Sequence, residues 1–534
     1  LLTLLFSCLC LLAWADRVDQ RVAQEIAQTV AKSYRHGSLR TSTQPPKLVY
    51  AAAAGAEGTA LRSGIAPDQA DYYVFNIGTE DGFVIVAGED RVLPVLGYAE
   101  KGIFDPDHLP ENLRGMLAYY QQEIDLAVRR NLTATEAVQA AWSRLTSGLG
   151  LRTGSSSETV LLETAQWGQS KPYNNQTPTI SGKHALTGCA ATSLGILLQY
   201  CQYPSQLTDG IDSYYEIPIS YGTYDWSKMP KSRPITTDEI EQVSSLLWHI
   251  GANVDMEYGL EGSSAYDIDA LNFLQNQAQF NQGSRYIERE NYYWSEWKEM
   301  IRTTLRGKSG QGYPLIYSGI GSDGGHMFLI DGFGPDEYFH VNWGWEGYCD
   351  GNYVLTALNT DVGSFSDDMG MIHNAVPNTV ANEDVIELRY QSLTFGTTFS
   401  TTDPFSVKFR AENTGSYTSD YHVGIGLFDE NGTLKKTIHT ADQICRMPAN
   451  SYYVFTVPCL INESLSATDQ IAPVYKAHSD DTEWKRMPNA PTAARYITST
   501  GDLFTDTDND NDPALAPIVL TQNDLPDAYF NISA

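Results

Sequence analysis

The sequence predicts an α+β protein made of three folded pieces. Three observations carry that prediction: a leading helix with a β-hairpin, a middle stretch in which helices give way to strands, and a closing series of short alternating strands. The chain has 534 residues, which suits three or four domains at roughly 100–200 residues each. Hydrophobic residues make up 42% and charged residues 19%, a balance that supports packed cores and excludes a disordered chain. A net charge of −30 argues against nucleic acid or an anionic membrane as partner, because both need basic patches.

Residues 1–15, "LLTLLFSCLCLLAWA", form an apolar run ending in Ala13-Trp14-Ala15. A small residue on either side of one larger residue is the pattern of a signal-peptidase site. No initiator Met or basic start precedes the run, so the given sequence is expected to open inside a signal peptide. The run is too short to span a bilayer and no later apolar stretch is long enough, so no transmembrane segment is expected. Cys8 or Cys10 could carry a lipid, but the spacing to the Ala-x-Ala site favours cleavage.

Asp16 to about Tyr34 reads as an amphipathic helix. Strands Tyr72–Ile77 and Phe83–Ala87 flank a Gly78–Gly82 turn, which predicts a hairpin. Leu113, Met116, Leu117, Tyr120, Ile124 and Ala127 recur at helical spacing. These elements make a small α+β domain over residues 16–155. It closes in "TGSSSET", Thr153 to Thr159, a polar run that reads as an exposed, cleavable linker. Residues 156–378 come next, with a helix after Cys189, another near Thr237–Ile250, and then "YPLIYSG", "GHMFLIDGF" and "YFHVNWGW" as strands. Helices first and a sheet second imply two facing lobes. In residues 379–497, Phe405, Val407 and Phe409 alternate onto one face and Asn431-Gly432 marks a hairpin, the pattern of a β-sandwich. Residues 498–534 read as an acidic linker and tail. Within them "DTDNDND", Asp506 to Asp512, has alternating carboxylates, yet it lacks the Gly and the bidentate Glu of a calcium loop. A solvated linker is the preferred reading.

Beyond the first fifteen residues the cysteines are Cys189, Cys201, Cys349, Cys445 and Cys459. The number is odd, so one thiol at least has no partner within the chain. Cys445 and Cys459 could join as a hairpin disulfide or remain free. No Cys-x-x-Cys pair is present, so a structural zinc site is not expected. No cofactor is expected either.

Cys189 stands at the start of the run "CAATSLGILLQYC". A thiol attacks carbonyls as thiolate, and a free one titrates near pH ~8.5. A helix N-terminus offers partial positive charge and unpaired N–H groups, which favour the thiolate and could hold an oxyanion. Gly188 permits close approach. The alternative reading is a small buried core residue. A functional thiol needs a base. His326 follows Gly324-Gly325 and opens a strand, where its ring could reach a cleft and move the thiol proton. His340 reads as a strand residue on one face, and His184 is the local competitor.

"GCAATSLGILLQYCQYP", "GGHMFLIDGFGPDEYFHVNWGWEGYCDGNYVL" and "TAQWGQSKPYNNQTP" together resemble the streptopain family of papain-like cysteine peptidases. The resemblance covers residues 156–378, and residues 16–155 resemble that family's inhibitory propeptide. It implies a papain-like two-lobed fold, with Cys189 as nucleophile and His326 as general base and acid. It further implies Gln169 as the oxyanion-hole amide, and Trp343 as the residue that orients or shields His326. Gly325 and Trp345 would border the substrate, while Asn342 reads as a plain strand asparagine. Protein or peptide substrates are implied, with a preference for a hydrophobic side chain one position before the residue at the cut. The chain's own propeptide would be its inhibitor, removed by a cut between Gly154 and Leu162. Secretion from a bacterium to the medium, periplasm or cell surface fits that scheme, and what the β-sandwich binds is unknown. Two rival readings are a Cys-His acyl transferase on the same fold and a surface-binding protein with an inactive peptidase unit.

Overall fold

The computed structural model describes residues 17–34, 44–53, 70–151, 158–212, 217–219, 221–307, 310–321, 324–334, 337–358, 369–381, 385–396, 400–441, 443–477 and 483–505. The apolar run 1–15 read as a signal peptide, most of the Ser-rich stretch read as a linker and the Asp506–Asp512 run lie outside them. The chain divides into two compact units. One comprises Leu1–His108, Tyr120–Arg152 and Thr356–Asn359; the other comprises Leu109–Tyr119, Thr153–Leu355 and Thr360–Ala534.

In the first unit, helix α1 (Gln20–Tyr34) buries Ala23, Ile26, Ala27, Val30 and Ala31, one stripe at helical spacing. Strands β1 (Lys47–Ala53), β2 (Ala70–Asn76), β3 (Phe83–Ala87) and β4 (Val95–Ala99) pair antiparallel in that order. The predicted hairpin is β2–β3, and its turn uses Gly78 and Gly82 at positive φ. Every residue of β3 is buried, so both faces of the strand are covered where alternation predicts one. Helix α2 (Glu111–Arg129) contributes its residues from Tyr120 onward to this unit. Its buried Glu123 accepts from Thr356 Oγ1 at 2.7 Å and from Ala357 N at 2.6 Å. Helix α3 (Glu136–Thr146), capped by Thr135, was not anticipated. Arg17 stands between two buried carboxylates, 2.7 Å from Asp71 and 3.8 Å from Glu89. Burial raises Asp71 to about 6 and Glu89 to about 7.

After Leu109–Tyr119, which includes the start of α2, the second unit continues with the two-residue strand β5 (Val160–Leu161) and two short hairpins, β6 (Thr179–Ile180) with β7 (Lys183–His184) and β8 (Gly210–Asp212) with β9 (Ile217–Ile219). Helices α4 (Cys189–Cys201), α5 (Thr237–Asn253) and α6 (Asp267–Asn276) precede β10 (Arg285–Glu288) and α7 (Trp294–Arg306). Strands β11 (Leu315–Gly321), β12 (Gly324–Phe333), β13 (Tyr338–Asn342), β14 (Gly351–Val354) and β15 (Gly370–His373) follow. They pair antiparallel in the order β14-β13-β12-β11-β15-β10, and β5 adds to the far end of β12. Helix α4 is buried almost all round, with Leu194, Ile196, Leu197 and Leu198 fully covered. It packs against β11, β12, α5 and α6, which explains a sequence with no polar stripe. Helix α5 starts in a capping box of Thr236 and Glu239.

Beyond the β15 strand lie two more antiparallel sheets. Strands β16 (Leu388–Phe395), β17 (Phe405–Asn413) and β21 (Tyr452–Cys459) form one. The other is built on β18 (Ser419–Phe428), flanked by β19 (Leu434–Thr437), β20 (Gln443–Met447) and β22 (Gln470–Lys476), with short strands to Phe504. Asn431-Gly432 turns β18 into β19 as predicted, with Gly432 at φ +76°. Leu388, Val407 and Phe409 of the first sheet share a core with Val423, Ile425 and Ile471 of the second.

These sheets meet the preceding half through buried polar groups. Arg389, 4% exposed at its side chain, reaches both oxygens of Glu296 at 3.2 Å and lies over the Tyr292 ring. Arg285 donates to Thr414 O. Glu412 accepts from Asn291 and Gln391. Burial, reinforced by Glu288, raises Glu412 to about 7. All five described cysteines are free, so Cys445 and Cys459 form no disulfide.

Candidate active site

Gly188 is the N-cap of α4, at φ +83°. A side chain there would be strained by φ and would meet Ser263 O at 2.7 Å and Met256 Sδ at 2.9 Å. Cys189 follows as the first helical residue. Its Sγ accepts from Met327 N at 3.4 Å, the residue directly after His326. The strand that carries His326 therefore runs against the thiol. A second tie, Ser193 Oγ to Met327 O at 3.3 Å, fixes α4 on β12. The thiol pKa is pushed up, first by burial, with the Asp267 charge adding to it; the N–H groups of Met327 and Ala190 oppose the rise. The helix-start amides act in the predicted direction, and desolvation outweighs them.

Gly325 and His326 lie within β12, opposite Ile320 and Gly319 of β11, so the glycines belong to the strand and not to a turn before it. His326 is partly buried. It lines a cavity with Gly319 and Phe328 of the sheet strands, with Met369 just before β15, and with Asn112, Met116 and Tyr119 from Leu109–Tyr119. Asn112, 4% exposed, donates to Trp343 O at 2.8 Å.

Gln169 sits in the loop that follows fully buried Trp167, whose Nε1 donates to Pro230 O at 2.8 Å. Gln169 O accepts from Thr187 N at 3.1 Å, so the Gln169 loop is tied two residues before the thiol. The "NWGW" turn docks on the same elements. Gly344, at φ +73°, faces Thr192 of α4, and Glu346 N donates to Trp167 O at 3.0 Å. Three blocks far apart in sequence thus converge on the start of α4.

Trp343 is fully buried between Phe328 (centroids 4.9 Å apart) and Tyr353 (5.1 Å), with Nε1 donating to Cys349 O at 3.1 Å. Trp345 is partly exposed, but its Nε1 is buried and has no hydrogen-bond partner among the described residues. Asn342 donates to Thr164 Oγ1 at 2.9 Å and to Ala165 O at 3.0 Å, and accepts from Gly344 N. Its amide is spent on the turn, as the reading of a plain strand asparagine requires. His340 is the expected strand residue, and its Nδ1 lies 2.6 Å from Asp331 Oδ1. His184 Nδ1 pairs with Thr177 O at 2.7 Å in its own loop.

Residues 167–353 match the Peptidase C10 family, and residues 15–124 match the Spi protease inhibitor family. Streptopain of Streptococcus pyogenes is 30% identical over 315 residues, which covers 54% of this chain and 74% of that protein. The chain belongs to the streptopain family of cysteine peptidases. The thiol protease/hemagglutinin PrtT of Porphyromonas gingivalis is 32% identical over 356 residues; the match takes in 63% of this chain and 39% of that relative's length. A fragment of Prevotella intermedia prointerpain A aligns over 57% of this chain and 95% of its own, at 28% identity and a TM-score of 0.48. This streptopain-family chain has no described helix long and apolar enough to cross a membrane.

Three residues of the site were not singled out from the sequence. Asn112 lies inside "PENLRG", a helix start with no chemical signature. Asp331 is buried near the end of β12, where the apolar residues before it hide it. Asp267 begins a helix that the sequence reading passed over.

Proposed function

We propose that the chain is the zymogen of an exported cysteine endopeptidase with a papain-like catalytic domain. Residues 1–15 serve as signal peptide, 16–155 as inhibitory propeptide, 156–378 as catalytic domain, 379–497 as a β-sandwich and 498–534 as linker and tail. The observation that carries the mechanism is the meeting of Cys189 Sγ with Met327 N–H at 3.4 Å, which sets the His326 strand beside the thiol. His326 takes the thiol proton as sulfur attacks the scissile carbonyl. The tetrahedral oxyanion is held by the Cys189 N–H and the Gln169 side-chain amide. The intermediate collapses, His326 returns the proton to the departing amine, and a thioester remains. Water, deprotonated by His326, then releases the acid and restores the thiol. Trp343 orients the imidazole by filling the wall behind its strand, and Gly325 and Trp345 border the substrate.

The silence of the full chain is supported by the segment Leu109–Tyr119, which lines the His326 cavity and anchors Asn112 on Trp343 O. A thiol raised by burial suits the same resting state.

The test is incubation of the purified chain beside its Cys189→Ala form, with and without reductant, followed by intact mass and casein cleavage. The native chain should lose its first ~150 residues, one domain's worth, and then cut casein only with reductant. Native protein freed of its pro region by added protease that still cuts no casein would overturn the peptidase reading.

A further inference from the structure

Asp267 opens α6 beside the thiol. The stretch before it is fixed against the start of α4, since Ser263 O and Met256 Sδ crowd the Cα of Gly188. From the sheet side, Ser318 of β11 is the register partner of Met327, whose N–H reaches Cys189 Sγ, and of Gly370 on β15. The hydroxyls of Ser318 and Tyr286 face the Asp267 carboxyl and partly offset the burial that raises its pKa. Ser318 Oγ is nonetheless buried without a partner at full hydrogen-bonding geometry, in a residue only 6% exposed. Among the described residues no cation pairs with Asp267 or lowers its pKa.

A largely buried carboxylate with hydroxyls and no counter-charge is costly. This one also works against the adjacent thiolate, which it destabilises by like charge. Both penalties vanish when a cation enters. The rim suits one with an aliphatic stem: Tyr266 is 75% exposed and Ile268 46% exposed on either side of Asp267, apolar surface of the kind along which Lys and Arg stems lie.

We propose that Asp267, with Ser318 beside it, forms a substrate subsite for a basic side chain, Lys or Arg, flanking the scissile bond. The assignment rests on Cys189 being the peptidase nucleophile. It departs from the purely hydrophobic preference that the family resemblance implies. A bound ammonium or guanidinium pairs with the carboxylate, donates to a spare lone pair of Ser318 Oγ, and offsets the negative charge that opposes thiolate formation.

The experiment uses the matured chain with matched peptide pairs carrying Lys or norleucine at each position around one cut. Native enzyme should favour Lys at one position by about tenfold or more in kcat/KM, the scale of a charge-assisted contact. Replacing that Lys by acetyl-lysine should abolish the preference without any change to the protein. Asp267→Asn should bring the Lys-to-norleucine ratio to near one, with Asp267→Glu retaining part of it. Equal cleavage of Lys and norleucine peptides at every position by native enzyme would overturn the subsite while leaving the peptidase reading intact. A variant that shifts both peptides by one common factor would reduce Asp267 to a field effect on the thiol. If no peptide of either kind is cut, the peptidase reading fails and the subsite falls with it.

Discussion

The cleft around Cys189 and the junction around Arg389 are both buried and polar, yet their charges are treated differently. At the junction Arg389 has two Glu296 oxygens, Asn489 O and the Tyr292 ring. Single atoms such as Arg285 Nε are left over there, but each guanidinium is engaged elsewhere. Beside Cys189, no cation pairs with Asp267 among the described residues, and only the hydroxyls of Ser318 and Tyr286 face its carboxyl; further along the chain, Trp345 Nε1 is buried without a partner among the described residues. Matched charge holds two pieces of chain in one geometry, because breaking a buried pair strands its partner. Unmatched polar groups stabilise nothing until a ligand arrives.

Exchanging the chemistry of the two places should therefore have opposite consequences. The largest effect is expected in the cleft and on turnover alone. Cys189→Ala and His326→Ala should each lower kcat by at least about 10⁴-fold, and the double variant should be no worse, since the pair acts as a unit. Peptide turnover by protein freed of its pro region measures this, and a second multiplicative loss in the double variant would break the pairing.

The next effect belongs to the junction and to stability. In a chain held inactive by Cys189→Ala, Arg389→Ala should cost about 2–3 kcal/mol, as removal of a buried partner does, while peptide turnover by the Cys189-intact Arg389→Ala enzyme stays within about twofold. Urea unfolding checks the first statement. An unchanged midpoint would show that the two halves do not depend on this pair.

Glu412 then sharpens the contrast through pH. Its pKa in the folded chain is about 7 against an ordinary 4.5, so the folded state holds a proton that the unfolded state releases. Its favourable contribution is present below the ordinary carboxylate pKa and is lost as pH rises through about 7. Glu412→Gln should gain on the native chain between pH 5 and pH 8, by up to about 3 kcal/mol. Thermal unfolding at the two pH values would read the change, and a gain that shrinks towards pH 8 would have the wrong sign.

The smallest effect is expected at the other thiol of α4. Cys201 packs against the core, and its pKa is pushed up to about 12 by burial alone. Cys201→Ala should cost about 1 kcal/mol and leave turnover unchanged. Iodoacetamide on the matured chain should label Cys189 well before Cys201.

Much of this was legible in the chain. Helix α4 begins at Cys189 after Gly188 and stops before Pro204, and β18–β19 turns at Asn431-Gly432; both are local signals. Helices α3, α6 and α7 were passed over. In α6 the apolar residues Ala270, Leu271, Phe273 and Leu274 span little more than one turn, too short for periodicity to register. The His340–Asp331 pair was illegible for another reason. It depends on β13 lying beside β12, with a register shift between Ile330 and Gly332, and no sequence spacing encodes a shift between strands. Asn112 and Asp267 are polar residues on ordinary helix starts, and only tertiary placement distinguishes them from their neighbours.

The short strand β5 carries one more implication. Glu158 is paired with Arg306 at 2.7 Å, Leu161 is in register with Gly332, Leu162 N donates to Asp331 O at 2.8 Å, and Thr164 Oγ1 donates to the same aspartate at 2.5 Å. Backbone bound edge-on as a strand cannot be threaded through a peptidase without first peeling away. Trimming of a freshly cut end should therefore stall at this seam. Mass spectra of the processed chain should show a small family of start points, all of them upstream of Val160, in place of one sharp terminus.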